Sequence, residues 1–546
     1  MAARSNTTGA HETPAPGQLR LSVVLSGGAS LGAYEAGALA AVLVAVRWLQ
    51  RESVDRVVLD AVGGASAGAL VGLFGAHALL EGFDPEDFLY QAWVERVSLD
   101  LLRRRAGQGL LSFDRLRDDI RKFLGPHGYP PPSHPRPQDA AIGVHVGLTG
   151  LQGLTYPVRA LDGRESFTAT TYADWGRFVL HPGGGAKQIL EPEGTSPLDF
   201  VLASAAHPGA FTPALLDRSD HADYYHRHGI DNFPEAGHVW YSDGGLMQAQ
   251  PLGYALAAAR AADDQGGLGG DFRRAVVLID PRSEDPSGAS AWTDPSRTPK
   301  WLHGLRRALE ILPAQTAYDD AARMEKTNRR LQWAEALADA LAPQLGDGAE
   351  DALRDFVARL RDERSRLPRE DEVPDVAPEG NGAEPGVRQL LRRAIADVSG
   401  LARKEAVEVS VISPLLLAAE DGDDVSALLA GDFMADFGGF LSRDIRNSDF
   451  LLGYASAEKW LPGGLRATGV DDAALEAMAK EVADRAPGDW QEANKGRVEP
   501  KDLGWAGRLD LARLGWDALR ALAAHAIDLP RASDGARRGL RSLRRK

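Results

Sequence analysis

Residues 54–68 read Val-Asp-Arg-Val-Val-Leu-Asp-Ala-Val-Gly-Gly-Ala-Ser-Ala-Gly. A β-branched run, Val54 to Val62, stops at Gly63-Gly64. An apolar segment reaching about Leu80 opens directly after Ser66. That order of strand, tight turn and helix puts Ser66 on the turn. The preceding segment repeats it: Leu19 to Leu25 is a short apolar run, Gly27 to Gly32 a Gly-rich turn, and Ala33 to Leu49 is apolar nearly all round. A helix without a polar face is buried. Two such units in succession predict an α/β fold, a parallel sheet covered by helices.

Further along, Ala141 to Leu148 and Tyr156 to Leu161 read as strands. Leu198 to Ala206 reads as a short helix stopped at His207-Pro208-Gly209, because proline cannot continue it. Val239 to Tyr241 reads as a brief strand before Asp243-Gly244-Gly245, and Ala275 to Ile279 as the last core strand. The expected organisation is a disordered lead-in at 1–18, a sheet domain at 19–291, and a helical extension at 292–367. An acidic Pro/Gly-rich linker at 368–388, a helical domain at 389–530 and a basic tail at 531–546 follow. Met324, Leu331, Ala334, Ala338 and Leu341 recur at helical spacing, as do Leu509, Ala512, Trp516, Leu519 and Ala523. The second stripe reads as intramolecular core, with a lid or dimer contact as the alternative.

The chain has 546 residues, and 77 acidic against 62 basic residues give a formal charge of −15. That excess argues against bulk nucleic-acid binding, which needs a basic face. Cysteine is absent, which excludes disulfides, thiol nucleophiles and zinc-thiolate sites. The longest apolar run, Ala36 to Val46, falls well short of the ~20 residues that span a bilayer. The polar start does not read as a signal peptide. The expectation is a cytoplasmic protein, with the tail as a site for peripheral contact with anionic lipid.

Gly64-Ala65-Ser66-Ala67-Gly68 matches G-x-S-x-G, in which a sharp turn lifts a serine hydroxyl off the sheet edge and small neighbours relieve the crowding. The Gly27–Gly32 turn has Ala29 where a dinucleotide fingerprint needs its second glycine. It has Ala33-Tyr34 where a P-loop needs Lys and Ser or Thr. An oxyanion hole, which needs only backbone N–H groups, and a simple packing turn remain. Asp243 supplies a carboxylate that could take a serine proton without a histidine. Asp-Gly-Gly alone is equally an ordinary turn.

Taken in order, these blocks resemble the patatin-like phospholipase family. The resemblance covers about residues 19–290. It includes Ser26-Gly27-Gly28 with Gly32-Ala33-Tyr34-Glu35-Ala36-Gly37, and Ala203-Ser204-Ala205-Ala206-His207-Pro208-Gly209-Ala210-Phe211-Thr212-Pro213. It also includes Asp243-Gly244-Gly245 with Gln250-Pro251-Leu252. The resemblance implies a three-layer α/β sheet domain and a Ser66–Asp243 dyad, with Ser66 the nucleophile and Asp243 its general base. The amides of Gly27, Gly28 and Ala29 would hold the oxyanion, and Gly32, Gly64, Gly68, Gly244 and Gly245 would be motif glycines. No metal or cofactor is implied. The implied activity is lipid acyl-ester hydrolysis. An acyltransferase, or a weakly active lipid-binding or regulatory protein, stays open as an alternative. Two departures stand out: Ala29 replaces the family's third glycine, and Leu31 its basic residue. The helical half resembles a bacterial patatin-related subgroup through Phe437-Gly438-Gly439-Phe440-Leu441-Ser442, Arg446, Asp449 and Gly453.

His221, Asp223, His226 and His228 read as a polar loop, and His207 as a structural or substrate-contact residue. The oligomeric state is not legible.

Overall fold

The computed structural model describes residues 18–53, 57–103, 110–125, 128–130, 138–159, 165–230, 232–266, 272–282, 301–345, 348–365, 386–401, 404, 406–418, 428–434, 436–466, 470–496, 498, 501–505 and 507–516. The basic tail, nearly all of the lead-in and most of the acidic linker lie outside them.

Eight strands form one mixed sheet: β1 (Gln18–Leu25), β2 (Val57–Gly64), β3 (Ile142–Arg159), β4 (Glu165–Leu180), β5 (Ala214–Asp217), β6 (His238–Ser242), β7 (Phe272–Ile279) and β8 (Glu408–Ile412). Their order is β5-β6-β3-β2-β1-β7-β8, with β4 paired to β3. The parallel sheet expected from the sequence is the centre of it, β3-β2-β1-β7-β8. The edge is antiparallel, where β3 pairs with β4 and β6, and β6 with β5.

Helices cover both faces. On one side α1 (Gly32–Ser53) and α2 (Ala67–Glu81) pack on Leu21, Val23 and Leu25. On the other, α4 (Leu252–Gly266), which follows the short α3 (Pro197–Ser204), meets Val24, Val276 and Leu278. The helices α5 (Trp301–Leu341), α6 (Ala349–Ser365) and α7 (Val387–Val398) extend this second layer, with Met324 of α5 in the same cluster. Met324, Leu331, Ala334 and Ala338 are buried, as their spacing predicts. The second stripe differs. In helix 507–516 Ala512 is exposed and Trp516 is 59% exposed, so that face is not sealed in the core. Leu519 and Ala523 lie outside the described residues.

The sheet does not stop at β7. Residues of the C-terminal half add β8 in parallel, Ala275 opposite Glu408 through Ile279 opposite Ile412. Five residues after a long helical stretch, most of them exposed, carry too little pattern to be read as a strand. Likewise β3 is one long strand rather than two, with a register shift between Thr149 and Leu154 where Gly150 and Gly153 interrupt the alternation.

The apolar character of α1 on every side is explained by α8 (Arg443–Arg466) and α9 (Asp472–Asp484), which close over the face turned away from the sheet. α1 is long and apolar enough to cross a membrane by composition, and 94% of its apolar window is buried in the fold. The α1–α8 contact is backbone to backbone. A Cβ on Gly37 would run into the Phe450 carbonyl, and one on Gly453 into the Tyr34 carbonyl. Gly463, in the same helix, has open space. We therefore expect Gly453→Ala to cost about 1–3 kcal/mol or more by overpacking. Gly463→Ala should be neutral or stabilising by up to about 1 kcal/mol through helix propensity. Urea unfolding midpoints separate the two; equal shifts would contradict the packing described.

Candidate active site

Ser66 stands between the end of β2 and the first turn of α2, at φ 54°, ψ −130°. A non-glycine residue there costs about 1–3 kcal/mol of local strain. Small neighbours make it tolerable. Gly64 closes β2 where a Cβ would meet Ala69 N at 2.8 Å. At Gly68 a Cβ would lie 2.7 Å from the Leu25 carbonyl oxygen. The turn also has a side-chain support: Ser66 N donates to Ser204 Oγ (2.8 Å), which donates to Gly147 O (2.6 Å). Ser204 is delivered by α3, whose start is fixed by a Ser196–Asp199 capping box with Pro197 in the first turn.

Asp243 follows β6 directly. Thr149 Oγ1 donates to its carbonyl (2.7 Å), its own N–H donates to Ala206 O (3.0 Å), and Gly245 N donates to Oδ1 (2.8 Å). Gly244 packs against the Gly147 carbonyl, which leaves no room for a side chain. The other carboxylate oxygen is free of these ties, and Ser66 Oγ donates to Asp243 Oδ2 at 2.9 Å. Ser66 is half-buried and Asp243 buried. Burial pushes the Asp243 carboxyl above its ordinary range, and the Gly245 amide, His207, Ser66 and Arg282 oppose that shift. His207 stands near Asp243 with its ring edge on Phe437, centroids 5.7 Å apart, and hydrogen-bonds to neither Ser66 nor Asp243.

The Gly-rich turn lies against this elbow. Gly27, at φ 79°, approaches so closely that a Cβ would sit 2.6 Å from the Ala65 carbonyl oxygen and 3.3 Å from Ser66 Cβ. Its amide is committed, however: Gly27 N donates to the buried Glu35 Oε1 (2.7 Å). Ser30 N donates to Asp436 O and Leu31 N to Gly28 O, both 2.8 Å. Among the described residues, the amides of Gly28 and Ala29 have no partner. The expectation that Gly27 donates to an oxyanion is therefore corrected, because Glu35 already takes that N–H. Ala29, at φ 48°, keeps its amide in the turn without being glycine. Gly32 opens α1 against the Trp93 ring.

A third segment, unanticipated from the sequence, completes the site. Ser30 Oγ donates to Asp436 O (2.5 Å) and accepts from Gly439 N (2.9 Å). Arg446 Nη1 donates to Gly439 O (3.0 Å), and Asp449 accepts from Ala430 N and Gly431 N (2.8 and 3.0 Å). The Phe437–Ser442 motif of the helical half thus sits on the Gly27–Gly32 turn. Ser30 alone carried no signal for this, since its partner is more than 400 residues away in the chain. Among the described residues no group of three or more His, Asp or Glu could hold a metal ion.

A family model described as patatin-like phospholipase matches residues 23–256. Those residues are thus similar to a patatin-like phospholipase domain. Patatin-like domains form a family of lipid acyl hydrolases. The matched segment runs from β1 into α4, so β7, β8 and the segment on Ser30 lie beyond it. Against curated proteins the chain finds no match.

Burial raises the Glu35 carboxyl to about 8, with Asp280 adding to the shift. A neutral Glu35 keeps negative charge away from the Gly28–Ala29 amides. The folded value exceeds the ordinary carboxylate value, so the folded state binds this proton more tightly. The resulting stability is complete below about pH 4.5 and is lost as pH rises to about 8. In Glu35→Gln the amide oxygen still accepts from Gly27 and nothing titrates. Its melting temperature relative to wild type should therefore climb between pH 5 and 8. A pH-independent difference would contradict this.

Proposed function

We propose that the chain is a lipid acyl hydrolase acting through a Ser66–Asp243 dyad. The observation that carries this reading is the 2.9 Å hydrogen bond from Ser66 Oγ to Asp243 Oδ2, formed at a strained elbow beside two unpartnered amides. Asp243 takes the hydroxyl proton as Oγ attacks the ester carbonyl. The carbonyl electron pair moves to oxygen, and the amides of Gly28 and Ala29 receive that charge. Collapse of the tetrahedral species breaks the C–O bond, and the leaving alcohol takes the proton from Asp243. Water then attacks the acyl-Ser66 ester, Asp243 again accepting the proton. The second collapse returns it to Ser66 and releases the carboxylic acid. A carboxyl raised by burial is a stronger base than one in water, which suits this role.

The substrate class is a lipid acyl ester: phospholipid, lysophospholipid or neutral lipid. Residues 531–546 carry seven basic residues and one acid, which suits anionic lipid surfaces at about 1 kcal/mol per cation.

Fluorophosphonate labelling and p-nitrophenyl butyrate turnover should both vanish in Ser66→Ala. Asp243→Asn should lose about 10²–10⁴ in kcat. The acid limb of kcat/KM should fall above the ordinary aspartate range, since the raised Asp243 must be ionised to act. Labelling that persists in Ser66→Ala would sink the assignment. Deleting residues 531–546 should reduce sedimentation with phosphatidylserine vesicles while butyrate turnover stays unchanged; equal sedimentation would remove the tail from the account.

A further inference from the structure

Arg282 follows β7 by three residues, outside the matched domain, on the same end of the sheet as Ser66. Its backbone is tied down: Arg282 N donates to Asp280 Oδ1 (2.9 Å), and Ser26 Oγ donates to the same oxygen (3.0 Å). Its side chain reaches back across the Gly-rich turn. The guanidinium Nη2 lies 3.4 Å from the position a Cβ on Gly28 would take. There it pairs with the Asp436 carboxylate, whose carbonyl is the group that holds Ser30. Asp436 is buried and stands at φ 65°, a conformation a non-glycine residue holds only when its surroundings impose it.

Three facts converge on the two free amides. The turn itself carries no cation, since Leu31 stands within it and is fully buried. Gly28 has no side chain, so nothing on that residue separates its backbone from the guanidinium. Arg282 acts on both buried carboxyls of the site, opposing the upward shifts of Glu35 and Asp243. A guanidinium has five donors in a planar fork, so an edge on Asp436 leaves others for a second anion.

We propose that Arg282 is the cation of the oxyanion site, and that Asp436, from the C-terminal half, is the residue that positions it. The inference rests on the proposed Ser66 chemistry. When the ester carbonyl becomes an oxyanion, the amides of Gly28 and Ala29 donate to it and Arg282 supplies the positive charge. The C-terminal half thereby takes part in the reaction through one ion pair. Arg282 is half-exposed, so solvent screens its charge and its share is smaller than that of a buried donor, whose loss costs about 10²–10³ in rate.

The test is p-nitrophenyl butyrate kinetics and fluorophosphonate labelling rates on the full chain, for wild type, Ser66→Ala, Arg282→Gln, Arg282→Lys and Asp436→Asn. Arg282→Gln should lower kcat and the labelling rate about tenfold, with KM changed less than threefold. Arg282→Lys should recover part of the loss, and Asp436→Asn should show a smaller loss of the same kind. Raising NaCl to 1 M should slow wild type more than Arg282→Gln. A purely structural arginine would instead shift melting temperature, with no recovery by lysine and no difference in salt response. If Arg282→Gln retains wild-type kcat while Ser66→Ala is inactive, the inference is overturned and the dyad stands. If folded wild type shows no Ser66-dependent turnover or labelling, the dyad reading falls and this inference with it. Should Arg282→Gln not fold, the lysine and Asp436→Asn variants decide: wild-type kcat in both overturns the proposal.

Discussion

Two backbone turns meet at the C-terminal ends of β1 and β2 with no side chain between them, and the site follows from that approach. Gly27 lies so close to the Ala65 carbonyl that a methyl group would leave 2.6 Å, and Gly68 is as close to the Leu25 carbonyl. Ser66 is held at positive φ because the strand before it, the helix after it and the neighbouring turn leave no relaxed alternative. Gly28 and Ala29 follow Gly27 in the turn that makes this approach. Moving either turn by an ångström would separate hydroxyl, carboxylate and amides at once.

The two halves of the chain are not independent around this point. β8 extends the central sheet, α8 seals the outer face of α1, and Asp436 and Gly439 hydrogen-bond Ser30 within the turn. The β8 and Ser30 contacts are made by backbone or by a short side chain, and Gly37 and Gly453 bring the backbones of α1 and α8 together, so little tolerance remains for sliding. The buried ion pair of Arg274 with Asp60, and the pairs of Arg20 and Arg274 with Asp263, add register constraints at the other end of the sheet. Burying such pairs costs desolvation that offsets much of their attraction, so they are weak evidence for net stability.

How much of this was legible depended on distance along the chain. Ser66, the two Gly-rich turns and Asp243 lie in short runs whose residue types encode their own conformation. Their elements could be placed from pattern alone. The assignment of Gly27 as a donor missed because its N–H is consumed by Glu35, a contact that composition does not announce. Ser204, Asp436 and Arg282 could not be placed near the turns, since each reaches them through a contact far away in sequence. β4 was missed despite the Thr and aromatic content of 165–180, and β8 because five residues are too few to show a period. The pattern of α1 carries tertiary information. Apolar residues on all sides required a second cover beyond the sheet, and the C-terminal half supplies it.

The most direct test of the account is a crystal structure of the chain after reaction with a fluorophosphonate. Phosphorus should be bonded to Ser66 Oγ, with its phosphoryl oxygen accepting from the amides of Gly28 and Ala29 while Gly27 N remains on Glu35. An adduct on another residue, or a phosphoryl oxygen turned away from both amides, would contradict it.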